Sequence, residues 1–273
     1  MGFKKRKQNV KIVSAIVFLS VVSLLFSCGK NSGQSIIVAG STSVQPYAEM
    51  LAEEYMHLYP EMEIDVQGGG SSAGISAVES GVANIGMSSR DLNDKEQVLW
   101  SVEIAKDGLA IIINPNNPVT DLTLRQVHDI YTADIDNWSD LGGPDKKIHI
   151  IAREEGSGTR SAFESLVMNT DQITPKAIVQ DSNGSVRQLV SSDQYAIGYI
   201  SLGLVDQTVK AVELDGVTPT WDNVVNGSYA LYRPFLFVTE SLPAGNTKQF
   251  IDFTLSSVGQ QLLLYEGLIP TVS

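Results

Sequence analysis

The chain has 273 residues, 43% of them hydrophobic and 18% charged, a balance that excludes gross disorder and leaves room for one large core or two. Residues 1–28 hold five of the 19 Lys and Arg, so the remainder carries 14 basic against 31 acidic side chains, net −17. That makes nucleic acid a poor partner. A small anion is still admissible, because local backbone N–H dipoles can hold it while distant charge is screened over about 8 Å.

The chain opens with a basic head (Lys4, Lys5, Arg6, Lys7, Lys11), an apolar run at 12–26, then Ser27 and Cys28. This is an export leader, too short for a spanning helix of about 20 residues. Cys28, the only cysteine, follows a small residue as in a lipoprotein signal and is the expected lipidation site. The rest of the chain, without cysteine, has no disulfide. Residues 29–34 read as a polar tether.

From residue 35 the pattern alternates. A strand at 35–39 precedes Gly40, Ser41, Thr42 and Ser43. A helix then runs to 59, with Tyr47, Leu51, Tyr55 and Leu58 on one face and Pro60 as its stop. A strand at 62–67, the glycine-rich loop 68–74, a helix at 75–79 and a strand at 84–87 follow, the last leading into Ser88, Ser89 and Arg90. Apolar segments at 109–113 and 231–238 are candidate crossings between lobes, and the Asn/Pro turn at 114–118 that closes the first is itself a candidate crossing. Between them lie a helix at 124–131, a loop at 138–144, a strand at 149–152, a loop at 155–159, a helix at 160–168 and a strand at 196–200. A single helix at 250–265 closes the chain. The fold class is α/β with largely parallel sheets. The expected division is lobe 1 at 35–112 and 232–273, lobe 2 at 113–231, joined by two crossing strands as a hinge.

Three loops, 40–43, 68–74 and 156–159, each sit after a strand and before a helix, at the carboxyl edge where open sheets bind ligands. Glycine lets the backbone approach closely, helix starts offer unpaired N–H donors, and the hydroxyls of Thr42, Ser43, Ser71, Ser157 and Thr159 rotate to fit. Arg153, just before the third loop, adds a forked cation. Singly, each loop is an ordinary cap; together they describe an anion site.

Other chemistries fit less well. No Lys follows Gly74 as a P-loop requires, and a dinucleotide fingerprint at 68–73 ends in Ala73. Gly70 to Gly74 matches G-x-S-x-G around Ser72, so a serine esterase using His128 or His149 is an alternative. There is no metal-ligand spacing, and no cofactor is expected.

At these loops the chain resembles the phosphate-binding proteins of bacterial phosphate ABC transporters. The supporting segments are 39–43, 68–74, 84–89, the stretch from Arg153 to Arg160, and 196–199. The resemblance implies a two-lobe type II periplasmic-binding fold that closes on one phosphate. It implies no catalysis, and partners consisting of inorganic phosphate, a membrane permease and its ATPase. By position, Thr42, Ser43, Ser71, Ser89, Arg153, Ser157, Gly158 and Thr159 would hold the ligand, with Ser41, Ser72, Arg90 and Asp91 in second rank. A lipid-anchored monomer on the extracytoplasmic face is the expected form. Ser89 stands where many members carry Asp to accept the proton of hydrogen phosphate. Asp91, Glu154 and Glu155 are candidate substitutes, sulfate or molybdate are alternative ligands, and a surface adhesin or sensor is a further alternative.

Overall fold

In the computed structural model, which describes residues 35–271, strand β1 (Ser35–Gly40) buries alternate side chains. The leader, Cys28 and the tether lie outside the described residues. Helix α1 (Gln45–Leu58) has Pro46 in its first turn, where no intrahelical N–H is needed, and buries Tyr47, Leu51 and Tyr55. Strand β2 (Glu63–Gly68), helix α2 (Ser71–Glu79) and the wholly buried β3 (Ile85–Ser88) complete a first βαβαβ run. The 14-residue strand β4 (Trp100–Ile113) follows.

Beyond it come β5 (Asp121–Leu122), α3 (Leu124–Thr132), β6 (His149–Arg153), α4 (Gly158–Phe163), β7 (Ile178–Gln180), α5 (Asn183–Ser192) and β8 (Ala196–Ser201). The chain ends with β9 (Lys210–Ala211), β10 (Glu213–Leu214), α6 (Trp221–Val225), β11 (Tyr232–Thr239), α7 (Gly245–Leu255), α8 (Ser257–Tyr265) and β12 (Ile269–Pro270). The sheet order is β2-β1-β3-β11-β4-β8-β6-β7, with β9 and β12 against β4, while β5 and β10 form a separate pair. β1 with β3, and β6 with β7 and β8, are parallel; β4 and β11 run antiparallel to their neighbours.

Two main cores flank this path. One joins Ile36, Leu51, Tyr55, Ile85 and Ile104 to Phe235, Phe250 and Leu263. The other gathers Leu109, Ile111, Tyr131, Trp138, Phe163, Tyr199 and Leu231. β4 serves both. Residues 100–108 pair with β11, and 109–113 pair with β8. The changeover falls between Ala105, in the first core, and Leu109, in the second.

Four local expectations differ. The crossing strand begins at Trp100 rather than 109, its first half disguised by Glu103, Lys106 and Asp107. The turn at 114–118 belongs wholly to the second core's side, since Asn114 Nδ2 donates to the Val190 and Ser191 carbonyls of α5. The closing helix is two helices. Ser256 breaks it with extended backbone, and its Oγ accepts from Gly259 N–H to cap α8. The helix expected at 160–168 starts earlier, at Gly158, and loosens into a π-helical turn at Glu164–Met168.

Candidate anion-binding site

The starts of α1, α2, α4 and α5 meet at one place. Ser43 precedes α1, Ser71 opens α2, Gly158 and Thr159 open α4, and Asn183 opens α5; all are buried. A helix start presents N–H groups without intrahelical acceptors and a partial positive charge. β-strand registry brings them there: Ser41 N–H bonds the Met87 carbonyl of β3 at 2.9 Å, and Gly70 N–H bonds the Gly40 carbonyl at 2.9 Å.

The hydroxyls form a linked set. Ser41 Oγ donates to Ser89 Oγ at 2.8 Å, Ser89 N–H donates to Ser71 Oγ at 3.1 Å, and the Ser71 and Ser89 hydroxyls lie 3.4 Å apart. Ser43 Oγ accepts from Asn183 Nδ2 at 2.8 Å and from Arg233 Nη2 at 3.0 Å, and lies 2.8 Å from Thr159 Oγ1. With both lone pairs of Ser43 filled, its one proton goes to Thr159. The Thr159 proton, and that of Thr42, are thereby left for another acceptor.

The loops touch across the two sides. Ser72 N–H donates to the Gly156 carbonyl at 3.1 Å. A Cβ on Gly158 would collide with Ser71 Oγ and Ser89 Oγ, so only glycine permits this approach. Ser157 caps α4, its Oγ accepting from Arg160 N–H at 3.2 Å.

Two buried arginines border the hydroxyls. Arg153 spends Nε and Nη2 on Glu154 at 2.9 and 3.0 Å, and Nη2 also reaches Thr42 Oγ1 at 3.2 Å and the Asp181 carbonyl at 3.2 Å. Arg233 spends Nε and Nη2 on Asp107 Oδ2 at 3.2 and 3.1 Å. Ser201 Oγ donates to Asp107 Oδ1 at 2.8 Å. Burial raises the Asp107 carboxyl above its ordinary range, opposed by Arg233 and Ser201. Among the described residues, three buried side-chain polar atoms lack a hydrogen-bond partner: Tyr47 Oη, Arg153 Nη1 and Arg233 Nη1. Orphaned guanidinium nitrogens are costly unless something accepts from them.

Ser41, Thr42, Ser43, Ser71, Ser89, Arg153, Gly158 and Thr159 are thus brought together. Of the second-rank residues only Ser41 joins this set. Arg90 is held by Glu96 at 2.7 and 2.9 Å, with a long 3.4 Å contact to Ser72 Oγ. Arg90 also holds the Glu96 carboxyl below its usual range. Asp91 and Glu155 are exposed. His128 bonds Asp129 and Asp171 through its two ring nitrogens, and His149, on the exposed start of β6, bonds Asp193. Among the described residues no hydrogen bond joins a histidine to Ser72.

Asn183, Asp107 and Arg233 were not singled out by sequence. Arg233 was legible in principle: a lone arginine inside the apolar run 231–238 is a buried charge in need of partners. Asn183 and Asp107 carry no such local signal.

A profile of the PBP superfamily domain matches residues 29–258. "Phosphate-binding protein PstS" of Bacillus subtilis is 33% identical over 287 residues, covering 97% of this chain and 95% of that protein. Its namesake in Borreliella burgdorferi is 30% identical, over 95% and 99%. The chain belongs to the PstS family. A phosphate-bound putative phosphate ABC transporter substrate-binding protein from Clostridium perfringens has a TM-score of 0.84 at 46% identity, covering 87% of this chain and 99% of that one. A phosphate transport receptor from Vibrio cholerae has a TM-score of 0.72 at 43% identity, covering 86% and 99%. The PstS likeness therefore spans both cores, and the fold is the two-lobed type II periplasmic-binding fold.

Proposed function

We propose that this protein captures inorganic phosphate outside the cytoplasm and delivers it to the membrane permease of an ABC transporter for import. The observation that carries the reading is the buried, unpartnered Arg153 Nη1 beside hydroxyls whose protons have no acceptor of their own. An anion with four oxygens accepts from all of them at once. The names of the relatives and the bound phosphate of the Clostridium perfringens protein support phosphate as that anion.

In this reading Thr42, Ser71, Ser89 and Thr159 donate hydroxyl protons, and Gly158 donates backbone N–H at the start of α4. Ser43 and Ser157 hold the loop geometry, and Arg153 neutralises charge. Lobe 1 comprises 35–112 and 232–273, lobe 2 comprises 113–231, and closure brings Ser71 and Ser89 against Gly158. The protein is a carrier rather than an enzyme. Its leader 1–28 directs export, a lipid on Cys28 anchors a monomer through the tether 29–34, and a permease with its cytoplasmic ATPase receives the phosphate.

Calorimetry of the detergent-solubilised chain, titrating phosphate against sulfate across pH, tests this. One phosphate per chain is expected. Absence of phosphate heat together with tight sulfate or molybdate binding would overturn it.

A further inference from the structure

The anion site has more cation than its loops supply. We propose that Arg233, on strand β11 and held in place by Asp107 on β4, is a second arginine contact for the bound anion and gives the site its preference for a doubly charged ligand. This rests on the phosphate reading above.

The geometry is specific. The guanidinium is planar and rigid, with five N–H donors in a fixed fork. Arg233 commits the Nε and Nη2 edge to Asp107 and reaches Ser43 Oγ with Nη2 at 3.0 Å. Nη1 is the neighbouring end of the same plane, so it lies beside the nitrogen that touches the hydroxyl set, yet it is buried without a partner. Arg153 shows the same division of labour: its Nε and Nη2 are on Glu154 and its Nη1 is unpartnered. Two forks thus each spend one edge on a carboxylate and leave the same nitrogen free.

A purely structural buried pair would not leave Nη1 orphaned, since the penalty falls on the folded chain alone. Asp107 is fixed in turn by Ser201, and the ring of Phe235 lies 5.5 Å from the Arg233 guanidinium carbon. Asp107 from β4, Arg153 from β6 and Tyr47 from α1 act most on Arg233, and Arg90, Asp91 and Tyr232 line a cavity with it. Burial and Asp107 push the Tyr47 phenol up, so it stays neutral. Arg153 disfavours the charged form of Arg233 by like-charge repulsion. A dianion between the two relieves that repulsion, and a monoanion does so less well.

The test compares the whole chain with Asp107→Asn/Arg233→Met, which removes both buried charges together, and with Asp107→Asn alone. Phosphate affinity is measured by calorimetry above and below the second ionisation of phosphate, with ligand-free thermal melting alongside. The double variant is expected to melt cooperatively and to bind dianionic phosphate about 10- to 100-fold more weakly, with a smaller loss for the monoanion. Asp107→Asn keeps the cation but loses the carboxylate that aims it, so its dianion loss should fall between those of the unaltered chain and the double variant. Equal weakening of both ionic forms, or unchanged affinity, would overturn the proposal. If the double variant does not melt cooperatively, Arg233→Lys decides. It retains a cation opposite Asp107 but is too short to place a donor where Nη1 lies, so phosphate affinity should fall several-fold with melting unchanged. Full affinity in Arg233→Lys overturns the proposal. Should the unaltered chain itself give no phosphate heat, the phosphate reading fails, and that result is separate from any difference among variants.

Discussion

Arg153 and Arg233 stand at the same hydroxyl set but are held in opposite ways. Arg153 ends strand β6 and pairs with the next residue along the chain, Glu154, whose side chain is 31% exposed. Arg233 pairs across two strands with Asp107, and the two side chains are only 2% and 1% exposed. The first pair is local and water-lapped; the second exists only once β4 and β11 are side by side. Arg153 is therefore held mainly by neighbours in sequence, at the point where β6 gives way to its loop. Arg233 is fixed instead by the pairing of β11 with β4.

Arg153→Ala is the largest expected effect on affinity and the sharpest way to break the comparison. It removes a charge-assisted donor and also frees Thr42 and the Asp181 carbonyl. A loss of roughly 1.5–3 kcal/mol, about 10- to 150-fold in Kd by calorimetry, is expected. If the loss in Asp107→Asn/Arg233→Met exceeds it, Arg233 and not Arg153 is the principal cation. Gly158→Ala comes next. The new methyl meets Ser71 Oγ and Ser89 Oγ, and relieving such overpacking costs about 1–3 kcal/mol. Because the contact forms where the two sides approach, the loss should appear in phosphate affinity with little change in ligand-free melting. A lowered melting temperature with intact affinity would mean that the close approach belongs to folding and not to binding.

Glu96→Gln is the smallest, and it asks whether a third arginine, Arg90, behaves as support alone. Arg90 depresses the Glu96 carboxyl. A depressed folded-state value means the pair's contribution is complete above the unfolded value of about 4.3 and fades as pH falls through the folded one. The substitution should therefore lower stability by roughly 1 kcal/mol at neutral pH and by little near pH 3, without altering phosphate affinity. A change in affinity would bring Arg90 into the site.

Part of this was legible from residues alone, because it is written in local pattern. Glycine with hydroxyls between a strand and a helix marks 40–43, 68–74 and 156–159, since turn conformation and helix capping depend on near neighbours only. Arg153 sits within the same short stretch as its loop. The alternation of strand, loop and helix is likewise local, so the α/β class follows from it. The boundaries at Trp100 and Ser256 were less clear. Glu103, Lys106 and Asp107 interrupt the apolar pattern of β4 without being exposed, and a single serine can either continue a helix or cap the next one.

What only the tertiary structure decided is the pairing of distant groups. Ser43 is 140 residues from Asn183 and 190 from Arg233, and Asp107 is 126 from Arg233. No spacing rule links such positions, because their meeting depends on which strands become neighbours in the sheet and in what register. The sequence by itself determined that this chain has the loops of an anion-binding protein. The placement of β4 beside β11 determined that a second arginine, aimed by a buried carboxylate, stands at the same site.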